Sequence, residues 1–178
     1  MQERRPSWAR RIGLVALLAI IGSTPASAGQ GGAAAMRRWI AIRFPDVQWI
    51  STEDLVDWSS KHEGDAPVLF DARAPAEFAV SHLAGARWID PDAADANPAG
   101  LPLETPIVVY CSVGYRSAVV ARKLAAAGYR RVYNLEGGIF QWANEGRAVF
   151  RGPERVVEVH PYDRIWGHLL DDRLHPQR

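Results

Sequence analysis

From residue 47 onward, short apolar runs alternate with stretches of helical spacing. Val47 to Ile50 (VQWI) alternates apolar and polar positions and predicts a strand. Ser51 to Asp54 (STED) has the form of a capping box. It opens a helix through about Ser60, with Leu55, Val56 and Trp58 on the apolar side. Val68-Leu69-Phe70 predicts a strand ending at Asp71, and Pro75 to His82 predicts a short helix with proline in its first turn. Ala86 to Ile89 reads as another strand, and the Pro-, Asp- and Asn-rich residues 90–105 read as a surface loop. Ile107 to Tyr110 (IVVY) has no polar position and predicts a central parallel strand. Tyr115 to Ala127 has helical spacing at Val119, Val120 and Leu124 and is stopped by Gly128. A strand over Val132 to Leu135 and a helix from Gly138 to Glu145, ended by Gly146, complete the series. Such alternation predicts an α/β domain over residues 47–150, a central, mostly parallel sheet with helices on both faces.

The flanks break the pattern. Residues 29–46 predict a linker of small residues, Gly29 to Ala35, followed by an amphipathic helix over Met36 to Phe44 that Pro45 stops. Residues 151–178 predict a tail docked on the domain, helical over Pro161 to Leu170; a partner-binding segment is the alternative. Residues 1–28 carry Arg4, Arg5, Arg10 and Arg11, then the apolar run Ile12 to Gly22, then Ala26-Ser27-Ala28. That order is a secretory signal with cleavage expected after Ala28. The apolar run is short for a membrane span, which needs about 20 residues. The expectation is a periplasmic or secreted protein with no membrane contact after cleavage; an uncleaved anchor in the inner membrane is the alternative. Arg10-Arg11 leaves open whether the signal is of the general or the twin-arginine type.

At 48% apolar and 23% charged residues the composition is that of a globular protein. The formal charge is +1, and loss of the arginine-rich leader would turn it to −2, so there is no basic footprint for nucleic acid. The five histidines are scattered, and neither a metal site nor a cofactor is indicated. The single cysteine, Cys111, excludes an intramolecular disulfide and a multi-thiolate zinc site. An unpaired cysteine in an exported chain is either a buried hydrophobe or a reactive thiol.

Its surroundings favour the second. Cys111 follows the central strand, and Ser112-Val113-Gly114-Tyr115-Arg116-Ser117 leads into a helix. Ligands of open α/β sheets bind beyond the carboxyl ends of strands. A tight turn there directs backbone N–H groups inward, and the helix N-terminus adds positive potential. Gly114 permits a backbone conformation other residues resist, and Arg116 brings a full charge. All of these favour thiolate over thiol.

Four separated motifs resemble the rhodanese-like sulfurtransferases. Asp71-Ala72-Arg73-Ala74-Pro75-Ala76-Glu77-Phe78 is similar to D-x-R-x-x-x-E-[FY], and Ser81 to Ala86 (SHLAGA) to G-H-I-P-G-A with Ser81 and Ala84 substituted. Cys111 to Ser117 resembles the C-x-x-G-x-R-S catalytic loop. Tyr133 to Ile139 with Trp142 resembles the closing N-L-x-G-G-[IM]…W. The resemblance implies a rhodanese-like fold and an activity. Cys111 would take a sulfane sulfur from a small anionic donor such as thiosulfate and hold it as a persulfide. A thiophilic acceptor, cyanide or a thiol, would then receive it. Ser112 through Ser117 would cradle the anionic sulfur. Cys111 to Arg116 is C-x4-R, one residue shorter than the C-x5-R loop of cysteine phosphatases, which argues against phosphate chemistry. Asp71 is expected to cap the helix at Pro75, and the resemblance implies that it braces the catalytic loop by hydrogen bonds; the two roles are compatible. Arg73 either reaches a donor anion or pairs with Glu77 at the surface. Arg116 either faces the donor or lies across Glu77 or Asp71 as an ion pair. His82, Trp49, Trp58 and Trp142 read as packing residues. Two other functions stand beside sulfur transfer: a non-catalytic binding module with an unidentified protein partner, and a thiol redox sensor.

Overall fold

The apolar run 107–110 forms the middle strand of a five-stranded parallel sheet, and its four residues are all buried. The computed structural model describes residues 25–61, 64–92 and 100–176. The expected signal lies largely outside these residues. The elements are α1 (Pro25–Arg43), β1 (Gln48–Ile50), α2 (Thr52–Lys61), β2 (Val68–Asp71), α3 (Pro75–Val80), β3 (Arg87–Trp88), β4 (Ile107–Tyr110), α4 (Tyr115–Ala126), β5 (Val132–Leu135), α5 (Gly138–Asn144), β6 (Val149–Arg151) and β7 (Glu154–Val156). Two 3-10 turns, Trp166–Leu169 and Asp172–Leu174, follow. The sheet order is β1-β5-β4-β2-β3, with every pairing parallel.

The alternation of side chains along β4 divides the core. Ile107 and Val109 join Ile40 of α1, Phe44 just beyond it, and Ala118, Val120 and Leu124 of α4 on one face. Val108 and Tyr110 join Leu55 of α2, Ile139 and Phe140 of α5, and Val159, Leu170 and Leu174 of the tail on the other. Helices therefore cover both faces, as an all-parallel sheet requires. The cap at α2 forms as its sequence predicts: Asp54 N–H donates to Ser51 Oγ at 3.0 Å, and Ser51 Oγ donates to Asp54 Oδ2 at 2.6 Å.

Two flanking expectations need correction. The stretch Gly29 to Ala35 is not a linker; α1 begins at Pro25 and runs through it to Arg43. Three alanines offset the helix cost of the glycines, and the tail packs alongside: a Cβ at Gly32 would lie 3.5 Å from Leu169 Cδ2. The tail docks as expected, but it is not an α-helix. It opens with the antiparallel β6–β7 hairpin and ends in the two 3-10 turns. Asn144 of α5 holds it from below, donating to Leu169 O at 2.8 Å and accepting from Asp171 N–H at 2.9 Å.

Candidate active site

Cys111 sits where β4 ends and is only 1% exposed. Gly114 then turns the chain at φ +105°, a left-handed conformation that glycine adopts without strain, and α4 starts at the next residue. The turn aims the Gly114 N–H at the sulfur, to which it donates at 3.2 Å. Ile139 and Phe140 N–H at the start of α5 donate to the Cys111 and Ser112 carbonyls at 2.9 and 3.1 Å. That approach requires glycine at 138. Its φ is +56°, and a Cβ there would collide with the Cys111 carbonyl oxygen and lie 2.7 Å from that of Ser112. With two loop carbonyls committed to α5, the N-terminal amides of α4 are positioned to meet an anion on the sulfur.

A buried knot of side chains fixes the loop from α3. Glu77 accepts from Arg116 Nη1 at 2.6 Å and Nη2 at 2.8 Å, and from Ser112 Oγ at 3.1 Å; Arg116 Nη2 also donates to Ser112 Oγ at 2.8 Å. The Ala74 N–H closes the remaining side of the carboxylate at 2.9 Å. Burial pushes the Glu77 carboxyl up more than any single contact lowers it, but the hydrogen bonds and charge of Arg116, the Ala74 N–H and the charge of Arg73 together hold the group below its ordinary value. Burial likewise opposes the Arg116 charge, and Glu77 together with Cys111 keeps it raised. Of the two arrangements expected for Arg116, the ion pair with Glu77 forms, and the guanidinium still lines the space beside the thiol.

Asp71 and Arg73 do neither thing expected of them. Arg73 is wholly buried. It donates through Nε and Nη2 to the Asp71 carboxylate, at 2.6 Å for the shortest contact, and through Nη2 to Ser81 O at 2.5 Å. Asp71 also accepts the Arg73 N–H at 3.0 Å. The pair therefore straps the end of β2 to the end of α3. Arg73 does not pair with Glu77 at the surface or line the thiol pocket, and Asp71 caps no helix. A bidentate carboxylate two residues away makes it possible to bury arginine here. His82 is a packing residue, stacked on Phe78 with its Nδ1 3.1 Å from Phe78 O. Trp58 packs edge-on against Tyr133, and Trp142 Nε1 donates to Ala148 O at 2.9 Å.

Cys111, Ser112, Val113, Tyr115 and Arg116 surround a cavity of about 30 Å³, with room for roughly one or two water-sized groups. Tyr115 is braced from behind by Trp39, stacked at 5.7 Å, and by the edge of Phe44. Ser117 Oγ is buried without a hydrogen-bond partner among the described residues. A larger cleft of about 600 Å³ lies between α1, α5 and the tail; Val113 borders it but Cys111 does not. Among the described residues no group of His, Cys, Asp and Glu could hold a metal ion.

Four further residues contribute to the site without an expected role there: Asn134, Gly138, Tyr162 and Trp166. Asn134 is buried in β5 and donates through Nδ2 to Gly114 O at 2.8 Å, tying the catalytic turn to the next strand. A polar residue within the apolar run VYNL was the available signal. Gly138 marks a helix start in the sequence, and in the structure it is also the point where α5 touches the loop. Tyr162 and Trp166 of the tail complete the wall of the small cavity; the sequence gives no sign of it.

A cysteine held this way between a parallel sheet and a helix N-terminus has relatives. Over 75 residues the chain is 36% identical to the thiosulfate sulfurtransferase GlpE of Pseudomonas fluorescens, covering 42% of this chain and 69% of that protein. It is 33% identical over 98 residues to the probable adenylyltransferase/sulfurtransferase MoeZ of Mycobacterium tuberculosis; that match covers 54% of this chain and only 24% of the longer protein. A solved rhodanese-related protein from Thermoplasma volcanium superposes with a TM-score of 0.51 at 26% identity, over 58% of this chain and 98% of that one. The model of the rhodanese-like domain matches residues 51–145, which run from the cap of α2 to the end of α5 and include the loop, Glu77 and Asn134. On that match the chain belongs to the rhodanese-like domain family.

Proposed function

We propose that this protein moves a sulfane sulfur from a small anionic donor such as thiosulfate to a thiophilic acceptor, with Cys111 carrying it as a persulfide. In the first step the Cys111 thiolate attacks the outer sulfur of thiosulfate. A Cys–S bond forms, the S–S bond of the donor breaks, and sulfite leaves with the electron pair. In the second, cyanide attacks the outer sulfur of the persulfide. Thiocyanate leaves and the electron pair returns to the Cys111 sulfur. Neither step needs a proton, so no histidine base is required.

The observation that carries this reading is the Gly114 N–H on the sulfur at the N-terminus of α4. A preorganised donor there stabilises negative charge on the thiolate and then on the persulfide. Arg116 adds a fixed positive charge, held by Glu77 so that it need not reorganise between steps. The cavity beside the thiol suits an outer sulfur atom. The burial of Cys111 speaks against a sensor that exchanges disulfides with bulky partners, and the intact loop speaks against a non-catalytic module. The test is thiocyanate formation from thiosulfate and cyanide, with Cys111→Ser as control: wild type turns over and the variant does not. Equal rates would overturn the proposal.

We further infer export to the periplasm through the leader ending at Ala28. No helix among the described residues is long and apolar enough to cross a membrane. A mature protein beginning at Gly29 in the periplasmic fraction would support export; an intact Met1 in the membrane fraction would support the anchored alternative.

A further inference from the structure

The tail that follows the family-matched stretch forms part of the thiol cavity. Residues 51–145 account for the match, whereas Tyr162 and Trp166 lie beyond it and line the same cavity as Cys111. The Arg116 guanidinium sits 4.9 Å from the Tyr162 ring centre, a cation–π contact that holds the ring against the loop.

The tail backbone is built to present these rings. Tyr162 has φ +67°, the only left-handed non-glycine residue among those described, and a bulky side chain adopts that conformation only when its surroundings impose it. Its N–H donates to His160 Nδ1 at 3.0 Å. Asp163 Oδ1 accepts from Ile165 and Trp166 N–H at 2.9 and 3.0 Å, which opens the 3-10 turn carrying Trp166. Beneath it Gly167 is buried, and a Cβ there would lie 3.1 Å from Pro161 Cβ. Val159 N–H donates to Leu174 O at 2.7 Å and closes the tail into a loop on the core. The aromatic wall is therefore anchored at both ends.

We propose that Tyr162 and Trp166 are specificity-determining residues that admit only small sulfur donors and acceptors to Cys111 and exclude peptide-sized and protein thiols. The proposal rests on the persulfide reading for its chemistry, but the wall itself can be tested without turnover. A thiol 1% exposed beside a cavity of about 30 Å³ has room next to it for a small group and not for a bulky nucleophile while the rings are in place.

The variants are Trp166→Ala and Tyr162→Gly, the latter because glycine keeps the left-handed turn while removing the ring. Each is compared with wild type in two assays. One is the ratio of sulfur-transfer rates to glutathione and to cyanide. The other is the ratio of Cys111 alkylation rates by fluorescein maleimide and by iodoacetamide. We expect both ratios to rise by about ten-fold or more in each variant, the scale on which steric fit discriminates. Ratios within about two-fold of wild type would overturn the proposal, because a wall that discriminates cannot be removed without effect. So would parallel increases with both reagents, which report general loosening of the loop. If wild type transfers sulfur to no acceptor, the persulfide reading fails while the alkylation ratios still decide whether the wall exists.

Discussion

Replacing Glu77 by Gln isolates the buried knot behind the catalytic loop. Arg116 would keep its charge and lose the carboxylate that now meets it at 2.6 and 2.8 Å, where the Glu77 and Arg116 side chains are 3% and 7% exposed. Leaving one member of a buried pair uncompensated costs about 3–5 kcal/mol, which for a chain of this size lowers the melting midpoint by about 6–20 °C. Pairing the change with Arg116→Met removes the stranded charge, so the double variant should melt above the sum of the two single losses. The sign with pH is also fixed. The folded Glu77 carboxyl is held below its ordinary value, so its contribution is present in full above the unfolded value near 4.5 and is lost as pH falls through the folded value. The gap between wild type and variant should be flat from about pH 6 to 8 and narrow in acid. The assay is thermal unfolding followed by circular dichroism, from about pH 8 down through the acid range below the unfolded value. A drop below about 2 °C, the scale of an exposed ion pair, or a gap that widens in acid, would refute the assignment.

Further outcomes follow from the other contacts. Asn134→Leu strips the Gly114 carbonyl of its donor in a buried setting and should cost about 1–3 kcal/mol, with a matching loss in kcat/KM for sulfur transfer; denaturant melts and steady-state rates check it. Gly138→Ala combines a collision at the Cys111 carbonyl with a left-handed backbone and should destabilise by at least about 1–3 kcal/mol, read from the denaturant midpoint. Arg73→Met should lower stability and leave the KM for thiosulfate unchanged, because Arg73 braces β2 and α3 and does not line the thiol cavity; a rise in KM with unchanged stability would return it to donor binding.

Local chemistry explains which features were legible in the sequence. The uninterrupted run 107–110 marks the central strand because only a strand covered on both faces can lack polar positions. Pro45 and Gly128 bound their helices through backbone geometry that acts without tertiary help. Cys111 to Ser117 is a continuous segment whose function is set by its own turn. What stayed hidden depends on how the chain closes on itself in three dimensions, whether the partner is near or far in sequence. Arg73 looks like a donor-binding residue or half of a surface ion pair until Asp71 and the Ser81 carbonyl enclose it. Gly29 to Ala35 looks like a linker until the tail packs beside it, and Tyr162 and Trp166 look like ordinary tail residues until the tail folds back over the loop. Their roles come from three-dimensional closure, which no local pattern encodes.

The central claim is that Cys111 carries sulfur between two half-reactions. Intact mass of the purified protein before thiosulfate, after thiosulfate and after cyanide tests it most directly. A persulfide cycle requires a gain of one sulfur atom with thiosulfate, absent in Cys111→Ser, and its removal by cyanide with thiocyanate released. No gain on a thiol shown to be reduced would contradict it.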